Sequence, residues 1–481
     1  MSRTHPPHSL KLLAGLAALL LPAVLPAAEG PKPPPPPARP AYAFLRWLED
    51  WSVLTKVPDR GQDFFDPIKY HPLGAGTGAW ASFGGDARFR IEDWQGFNFG
   101  APRNASTDDT FELTRLRAHA DLRFSPTVRL FGEVKSALSS SRQLPGGVRL
   151  VDRDEFELQQ LFFDFKINLE NNASIVLRPG RFGLSFGGQR LVSALPWANA
   201  LRTWDGLQAI ITAHGWTVTA FESAFVPVVR NGLGEADTDE LLGGIYARHL
   251  FKGPADGIEL YALHNDWDAP RTFNGTRGSD ERVTLGARRW APLSPRADYE
   301  IEVSYQLGST GSGDVAAWSL ASIAGYNVTA DKSLRLWAGF DWASGDDEPG
   351  GDVETFNQLY PLGHAYFGAI DVIGRQNIMD LSGGATWKPV PKLSLAFQLH
   401  RFWVDSTKDA IYNGGGGVVR AGGTFRSSDI GTEADLVVTW NVARHLVLEV
   451  GYGHFFTGDA ISQSGPSTDT DFAYASTTFT F

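Results

Sequence analysis

SIVLRPGRFGLSFGGQRLVSALPWANALRTWDGLQA, residues 174–209, decides the fold. It reads as strand, loop, strand. Ile175 to Phe186 is rich in strand formers yet carries Arg178 and Arg181, and Gly180, Gly183, Gly187 and Gly188 interrupt it. Glycine inside a strand marks a bulge, a bend or a close approach of other chain. Gln189, Arg190, Asn199, Arg202 and Asp205 then follow around Trp197 and Trp204. The strand of a soluble core does not tolerate that density of charge. A strand with one face in lipid and the other in a watery lumen does.

Working outward, the same two-faced pattern recurs. In Asp86-Ala87-Arg88-Phe89-Arg90-Ile91-Glu92 the even positions are charged and the odd ones apolar or small. In Arg115-Leu116-Arg117-Ala118-His119-Ala120-Asp121-Leu122-Arg123 the odd positions are polar and the even ones apolar. Successive strand side chains point to opposite faces, so each strand has one polar and one apolar face. In a soluble sheet the apolar face needs a covering layer, and no helical segments are available to supply it. Strands are expected near 80–94, 110–124, 127–137, 155–168, 173–186, 204–213, 216–227, 240–251 and 257–267. Further ones are expected near 281–291, 296–308, 314–327, 333–343, 377–388, 393–404, 431–441, 445–457 and 470–481. That is about eighteen, an even number, as in bacterial single-chain barrels.

The connections sort by length. After even-numbered strands they are short, at 125–126, 170–172, 214–215, 252–256, 292–295, 329–332, 389–391 and 441–444. After most odd-numbered strands they are long, glycine-rich or acidic, as at 95–109, 139–154, 187–203, 344–376 and 406–430. Short periplasmic turns against long outer loops is the transmembrane-barrel arrangement. It gives an all-β, antiparallel up-and-down barrel of about 18 strands over 80–481, with both termini in the periplasm. A β-sandwich or a propeller is the alternative, but no 40–50-residue repeat of the kind a propeller needs is apparent.

Residues 1–28 read as a cleaved signal peptide: Arg3, His5, His8 and Lys11, an apolar run over 12–25, then Pro26-Ala27-Ala28. Residues 29–79 hold a proline-rich spacer (30–40) and a short helical piece, since Phe44, Leu45, Trp47, Leu48, Trp51 and Leu54 recur at helical spacing. That piece is expected at the periplasmic mouth or partly inside the lumen. The terminal Phe481 suits recognition by the barrel-assembly machinery. The chain has no cysteine, which excludes thiolate metal sites and disulfides. A net charge of -11 argues against nucleic-acid binding. No cofactor is implied.

GRFGLSFGGQRLVS, PWAN and RTWDG resemble the alginate export family of bacterial outer-membrane proteins, as do WASFGGDARFRIEDW, LTRLRAHADLRF and EDWSVL. The resemblance runs from about Trp47 to the C-terminus. It implies an outer-membrane, anion-selective conduit for a negatively charged polysaccharide, in contact with outer-membrane lipid and performing no chemistry. It carries over to the arginines within the matching motifs: Arg88, Arg90, Arg115, Arg117, Arg181, Arg190 and Arg202. The residue pattern itself places Arg123, Arg129, Lys135 and Arg178 with them on lumen-facing phases. Side by side, the 88/90 and 115/117 pairs repel by a few tenths to about 1 kcal/mol unless anions separate them. Asp86, Glu92, Asp121, Glu133, Asp164 and Asp205, or a bound substrate, are the available anions. Guanidinium groups bind carboxylates bidentately and stay charged. Gating in the family pairs a long outer loop with a long periplasmic turn. Every periplasmic turn here is short, so closure falls to outer loops or to 41–79.

Other readings stay open. A general small-solute porin and a non-conducting adhesion barrel fit the same strands. Asp346, Asp347, Glu348, Asp352 and Glu354 could hold Ca²⁺ or be a solvated acidic loop. His264, Asp266 and Asp268 share a strand end without a fourth ligand. No nucleophile–base motif such as GxSxG or HExxH occurs, so the chain does not read as an enzyme. Trp197, Trp204, Trp216, Trp267, Trp290, Trp337, Trp387 and Trp403 are expected in interfacial girdles.

Overall fold

The computed structural model describes residues 39–57, 61, 63–74 and 76–481. The signal peptide and most of the proline-rich spacer lie outside them. Eighteen antiparallel strands form one closed barrel. They are β1 (Trp80–Gln95), β2 (Asp109–Arg123), β3 (Val128–Ser139), β4 (Asp154–Asn168), β5 (Ser174–Phe182), β6 (Trp204–Ala213), β7 (Trp216–Phe225), β8 (Asp237–Leu250) and β9 (Gly257–Phe273). They continue as β10 (Thr276–Pro292), β11 (Ala297–Thr310), β12 (Gly313–Asn327), β13 (Leu334–Ala343), β14 (Ile378–Val390), β15 (Leu393–Trp403), β16 (Asp429–Ala443), β17 (Leu446–Thr457) and β18 (Thr470–Thr480). Each pairs with its neighbours in the chain. The ladder closes where Asp86–Gln95 of β1 meets Asp471–Thr480 of β18, so no barrel edge is left unpaired.

The alternation sets the two faces. On β1, Asp86, Arg88, Arg90 and Glu92 are buried in the lumen while Phe89 and Ile91 are exposed outside. The connections after even strands are short, and most after odd strands are long. Two are not. Residues 274–275 and 311–312 are tight hairpins, where a 13-residue and a 5-residue gap were expected. Asn274 and Gly275 take positive φ (42° and 91°), which Asn-Gly accommodates and a two-residue hairpin needs. The sequence pattern ends β9 at 267 and begins β10 at 281, short of the observed 273 and 276, because Asp268 and Asp280 read as loop. β5 stops at Phe182 instead of running to 186, and residues 183–203 leave the wall for the lumen.

Residues 42–57 enter the short-turn end of the barrel. They form two 3₁₀ turns, Arg46–Leu48 and Trp51–Thr55, in place of one amphipathic helix. Glu49 breaks the helix by turning back on the chain: its carboxylate accepts from the Ala43 N–H at 2.8 Å and from the Trp51 indole at 2.8 Å. The carbonyls of Phe44 and Trp47 accept from Arg117 and Arg129 at 3.1 and 2.8 Å. Arg46 reaches the carbonyl of Phe481 at 3.0 Å. A four-residue helix, Asp66–Lys69, completes the segment.

The tryptophans divide by phase. Trp216, Trp318, Trp387, Trp403 and Trp440 stand on the outward face as interfacial residues. Trp204 and Trp267 are buried inside, and Trp197 hangs from the inward loop. Strand-end position alone did not separate the two sets; the parity of each residue along its strand does.

Candidate functional site: a constriction between two walls

Two long loops meet inside the barrel. Residues 183–203, after β5, run beside residues 344–377, after β13. Ser193 N–H donates to Tyr360 O at 2.9 Å, Tyr360 N–H to Leu191 O at 2.8 Å, and Leu362 N–H to Gln189 O at 2.9 Å. The loops close on each other where the Trp197 and His364 rings stack, 3.6 Å apart and 7° from parallel. One cavity of about 320 Å³ lies on the long-loop side, with Glu92, Trp94, Arg149, Arg202 and Asp371 in its lining. A second of about 310 Å³ lies on the other side, lined by Arg88, Arg115, His364 and Glu449. Arg90 and Trp197 border both. Here the two loops meet inside the lumen and stand between the two cavities.

The first loop is held by arginines. Arg88 donates to the carbonyls of Pro196, Trp197 and Ala198 at 3.2, 3.0 and 2.9 Å and to Asn199 Oδ1 at 3.3 Å. Arg115, directly opposite Arg88 in the β1–β2 register, donates to the carbonyls of Pro196 and Ala198 at 3.0 and 2.8 Å. Arg90 binds Trp197 O at 2.8 Å and Glu92 at 2.7 Å, with its guanidinium 3.9 Å from the Trp197 ring. Asn199 ties the loop to the wall by donating to the carbonyls of Thr114, Leu138 and Asp152. Among the described residues no carboxylate pairs with Arg88 or Arg115. Backbone carbonyls separate the like charges, each carrying only a partial charge, so an excess of positive charge remains. The Nε atoms of Arg88, Arg90 and Arg115 are buried without a partner.

The other motif arginines are placed differently. Arg117 pairs with Asp86 at 2.6 Å and lies 4.5 Å from the Phe44 ring, nearer the short-turn end. Arg181 is three residues from Arg178 and so on the opposite phase. It clamps Asp205, Glu157 and the carbonyl of Gly234, and lines none of the described cavities. Arg190 reaches across to Glu300 and Glu302 at 2.5 and 2.9 Å. Arg202 donates to Pro361 O at 2.9 Å and joins the two loops. Arg129 and Arg178 share Asp121 and Asp164, Lys135 pairs with Asp154, and Arg123 is half-exposed beside Asp121.

The second loop is held by acids that the sequence reading passed over. Glu433 accepts from the Ile370 N–H at 2.9 Å, and Asp435 from the Ala369 N–H at 3.1 Å. Arg375 of the loop pairs with Asp341 at 2.5 Å, and His400 with Asp380 at 2.9 Å. Gly368, at φ 84°, makes this seat possible. The period-two pairs Glu300-x-Glu302 and Glu433-x-Asp435 were visible signals of an acidic wall. Across the lumen from Arg88 and Arg115 the wall thus carries carboxylates on β11, β13, β14 and β16, of which Glu300, Glu302 and Asp341 are paired with arginines.

Two loop groups are shifted. Burial, reinforced by Arg90 and Arg88, lowers His364 to about 3, so it is neutral. Burial raises the Asp371 carboxyl to about 7, against the opposing pull of Arg149 and Arg202. In the acidic outer loop the Asp346 carboxylate accepts from the Glu348 N–H at 2.8 Å and the Asp347 carboxylate from the Ser406 hydroxyl. Among the described residues no three His, Asp or Glu side chains are grouped to hold a metal ion.

The family model described as alginate export matches residues 79–475. A comparison with curated protein sequences finds no match. Solved structures share the fold at low identity. A BenF-like porin from Pseudomonas fluorescens Pf-5 superposes with TM-score 0.57 at 12% identity, covering 83% of this chain and 98% of the other. Outer membrane protein OprD from Pseudomonas aeruginosa gives 0.53 at 12%, covering 83% and 94%. OccK2 (OpdF) of the same species, solved in complex with glucuronate, gives 0.52 at 13%, covering 83% and 96%.

Proposed function

The chain belongs to the alginate export family, and from that premise we propose that this outer-membrane channel passes anionic solutes, uronate-bearing saccharides among them, selected at the Arg88–Arg90–Arg115 constriction. Family and fold are those of transport channels. The observation that carries the reading is local: three guanidiniums line the cavity beneath the Trp197–His364 contact, and two of them have only carbonyl oxygens and one amide oxygen for partners. A carboxylate in transit offers the full charge those carbonyls lack and the bidentate geometry a guanidinium fits. Charge rings at a constriction are how a pore selects. On this reading the chain is exported by its leader, both termini lie in the periplasm, and Phe481 is the handle for barrel assembly.

The opposing charge favours a second reading. Glu449 lines the inner cavity, and Arg117, Arg181 and Arg190 each pair with a carboxylate. A pore with its other cations neutralised in this way fits a general small-solute porin. Single-channel recording with uronate oligomers separates the two. Block by uronates that is lost in Arg88→Glu/Arg115→Glu supports the anionic conduit. A current indifferent to uronates leaves the general porin.

A further inference from the structure

A third cavity, of about 360 Å³, shares no lining residue with the two beside the Trp197–His364 contact. It lies toward the short-turn end, where Ile210, Thr217 and Arg248 stand close to the ends of their strands. Three parts of the chain enclose it. Leu45 and Trp47 come from the segment in the mouth, Leu184 and Phe186 from the start of the inward loop, and Ile210 from the wall. Phe186 stacks on Tyr246, 4.7 Å between centroids and 12° from parallel, and Tyr246 on Tyr261 at 5.3 Å and 4°. Most of the hollow is therefore apolar, and part of it is a supported aromatic face.

Its polar groups gather at one end. Arg248 is exposed there and has no hydrogen bond or ion pair among the described residues. Glu259 stands directly opposite it in the β8–β9 register but is turned elsewhere: its carboxylate accepts from the Tyr246 hydroxyl at 2.9 Å and pairs with Arg288 at 2.7 Å. Thr217, the neighbour of Arg248 on the other side, also has no side-chain hydrogen bond among the described residues. An apolar hollow with a few polar groups that fix orientation is how small-molecule sites are built.

We propose that this cavity binds a small amphiphilic carboxylate, with its apolar body against Leu184, Phe186 and Tyr246 and its carboxylate on Arg248. The occupant is distinct from the solute selected at Arg88, Arg90 and Arg115. A uronate ring would bury hydroxyls here against apolar walls without partners. Because Leu45 and Trp47 form part of the site, an occupied cavity also holds residues 42–57 in the mouth.

Barrels in nanodiscs are titrated with butanoate, pentanoate and hexanoate and followed by ligand-observed NMR, with empty nanodiscs as the bilayer blank. The expected result is saturable binding that tightens about fourfold for each added methylene and is not displaced by glucuronate. Arg248→Met should weaken hexanoate at least tenfold. Thr219→Trp, which places an indole in the hollow, should abolish binding, and heat-modifiable migration checks that both variants fold. Hexanoate should slow protease nicking of residues 42–57 several-fold. Uptake no greater than that of empty nanodiscs overturns the proposal. So does an affinity that is flat along the series, wild-type affinity in Arg248→Met, or displacement by glucuronate. Nicking that hexanoate leaves unchanged contradicts the coupling to the segment.

Discussion

Gly368→Ala should loosen the constriction without touching the barrel. The added methyl would sit 2.0 Å from Glu433 Oε1 and 2.3 Å from its carboxyl carbon. Glu433 is wholly buried, so it has little room to swing aside. The Ile370 N–H bond to Glu433, worth about 1.5–3 kcal/mol if the carboxylate is charged, is lost. The φ of 84° costs alanine about 1–2 kcal/mol more. Together these remove roughly 2.5–5 kcal/mol from the seat of residues 363–371. That is enough to turn a seated loop into one that spends much of its time unseated. His364 then leaves Trp197 and the two cavities merge. The β1–β18 ladder is unaffected, so heat-modifiable migration of the folded barrel should be normal. In planar bilayers the variant should give larger, noisier single-channel steps than wild type. Glu433→Gln, which keeps an acceptor of the same size, should lose only about 1 kcal/mol and conduct nearly as wild type. A Gly368→Ala channel with wild-type steps would refute the assignment of this loop as the barrier between the two cavities.

Three further outcomes follow from the same geometry. Burial, with Arg46 adding to it, lowers the Lys69 amine at the short-turn end to about 7. When residues 42–69 leave their seat the amine regains its ordinary value near 10.5. The released state therefore holds more protons between pH 7 and 10.5, so seating strengthens as pH rises through that window. Protease nicking of the segment in intact barrels should fall over the same range, and Lys69→Met should abolish the dependence. Asp371, raised to about 7, is protonated below that value and adds a negative charge to the long-loop cavity above it. Uronate block should weaken as pH rises from 6 to 8, and Asp371→Asn should hold it at the low-pH level. Trp197→Ala removes the ring under Arg90 and against His364, and should raise conductance while reducing uronate affinity several-fold.

The barrel was legible because lipid and lumen impose period two on every strand, and residues such as Arg88, Phe89 and Arg90 cannot satisfy any other element. Strand ends were less so. Asp268 and Asp280 look like loop to a hydropathy reading, yet they sit on two 17-residue strands, longer than the apolar belt requires. The inward course of residues 183–203 was signalled by its glycines. What held it there was not. Arg88 and Arg115 are satisfied by backbone carbonyls, which every residue carries, so no side-chain pattern could name them. Repulsion between the paired arginines was foreseeable, while its relief by Pro196, Trp197 and Ala198 was not. The acidic wall was readable in the period-two spacing of Glu300-x-Glu302 and Glu433-x-Asp435. Arg181 was misjudged by phase, being an odd step from Arg178.

The reversal potential under a salt gradient tests the central claim most directly. Wild-type channels between unequal KCl solutions should reverse at a potential of the sign set by chloride, and Arg88→Glu/Arg115→Glu should move it toward or past zero. A wild-type reversal potential at zero or of the potassium sign, unchanged in the double variant, would contradict an anion-selecting constriction at these arginines.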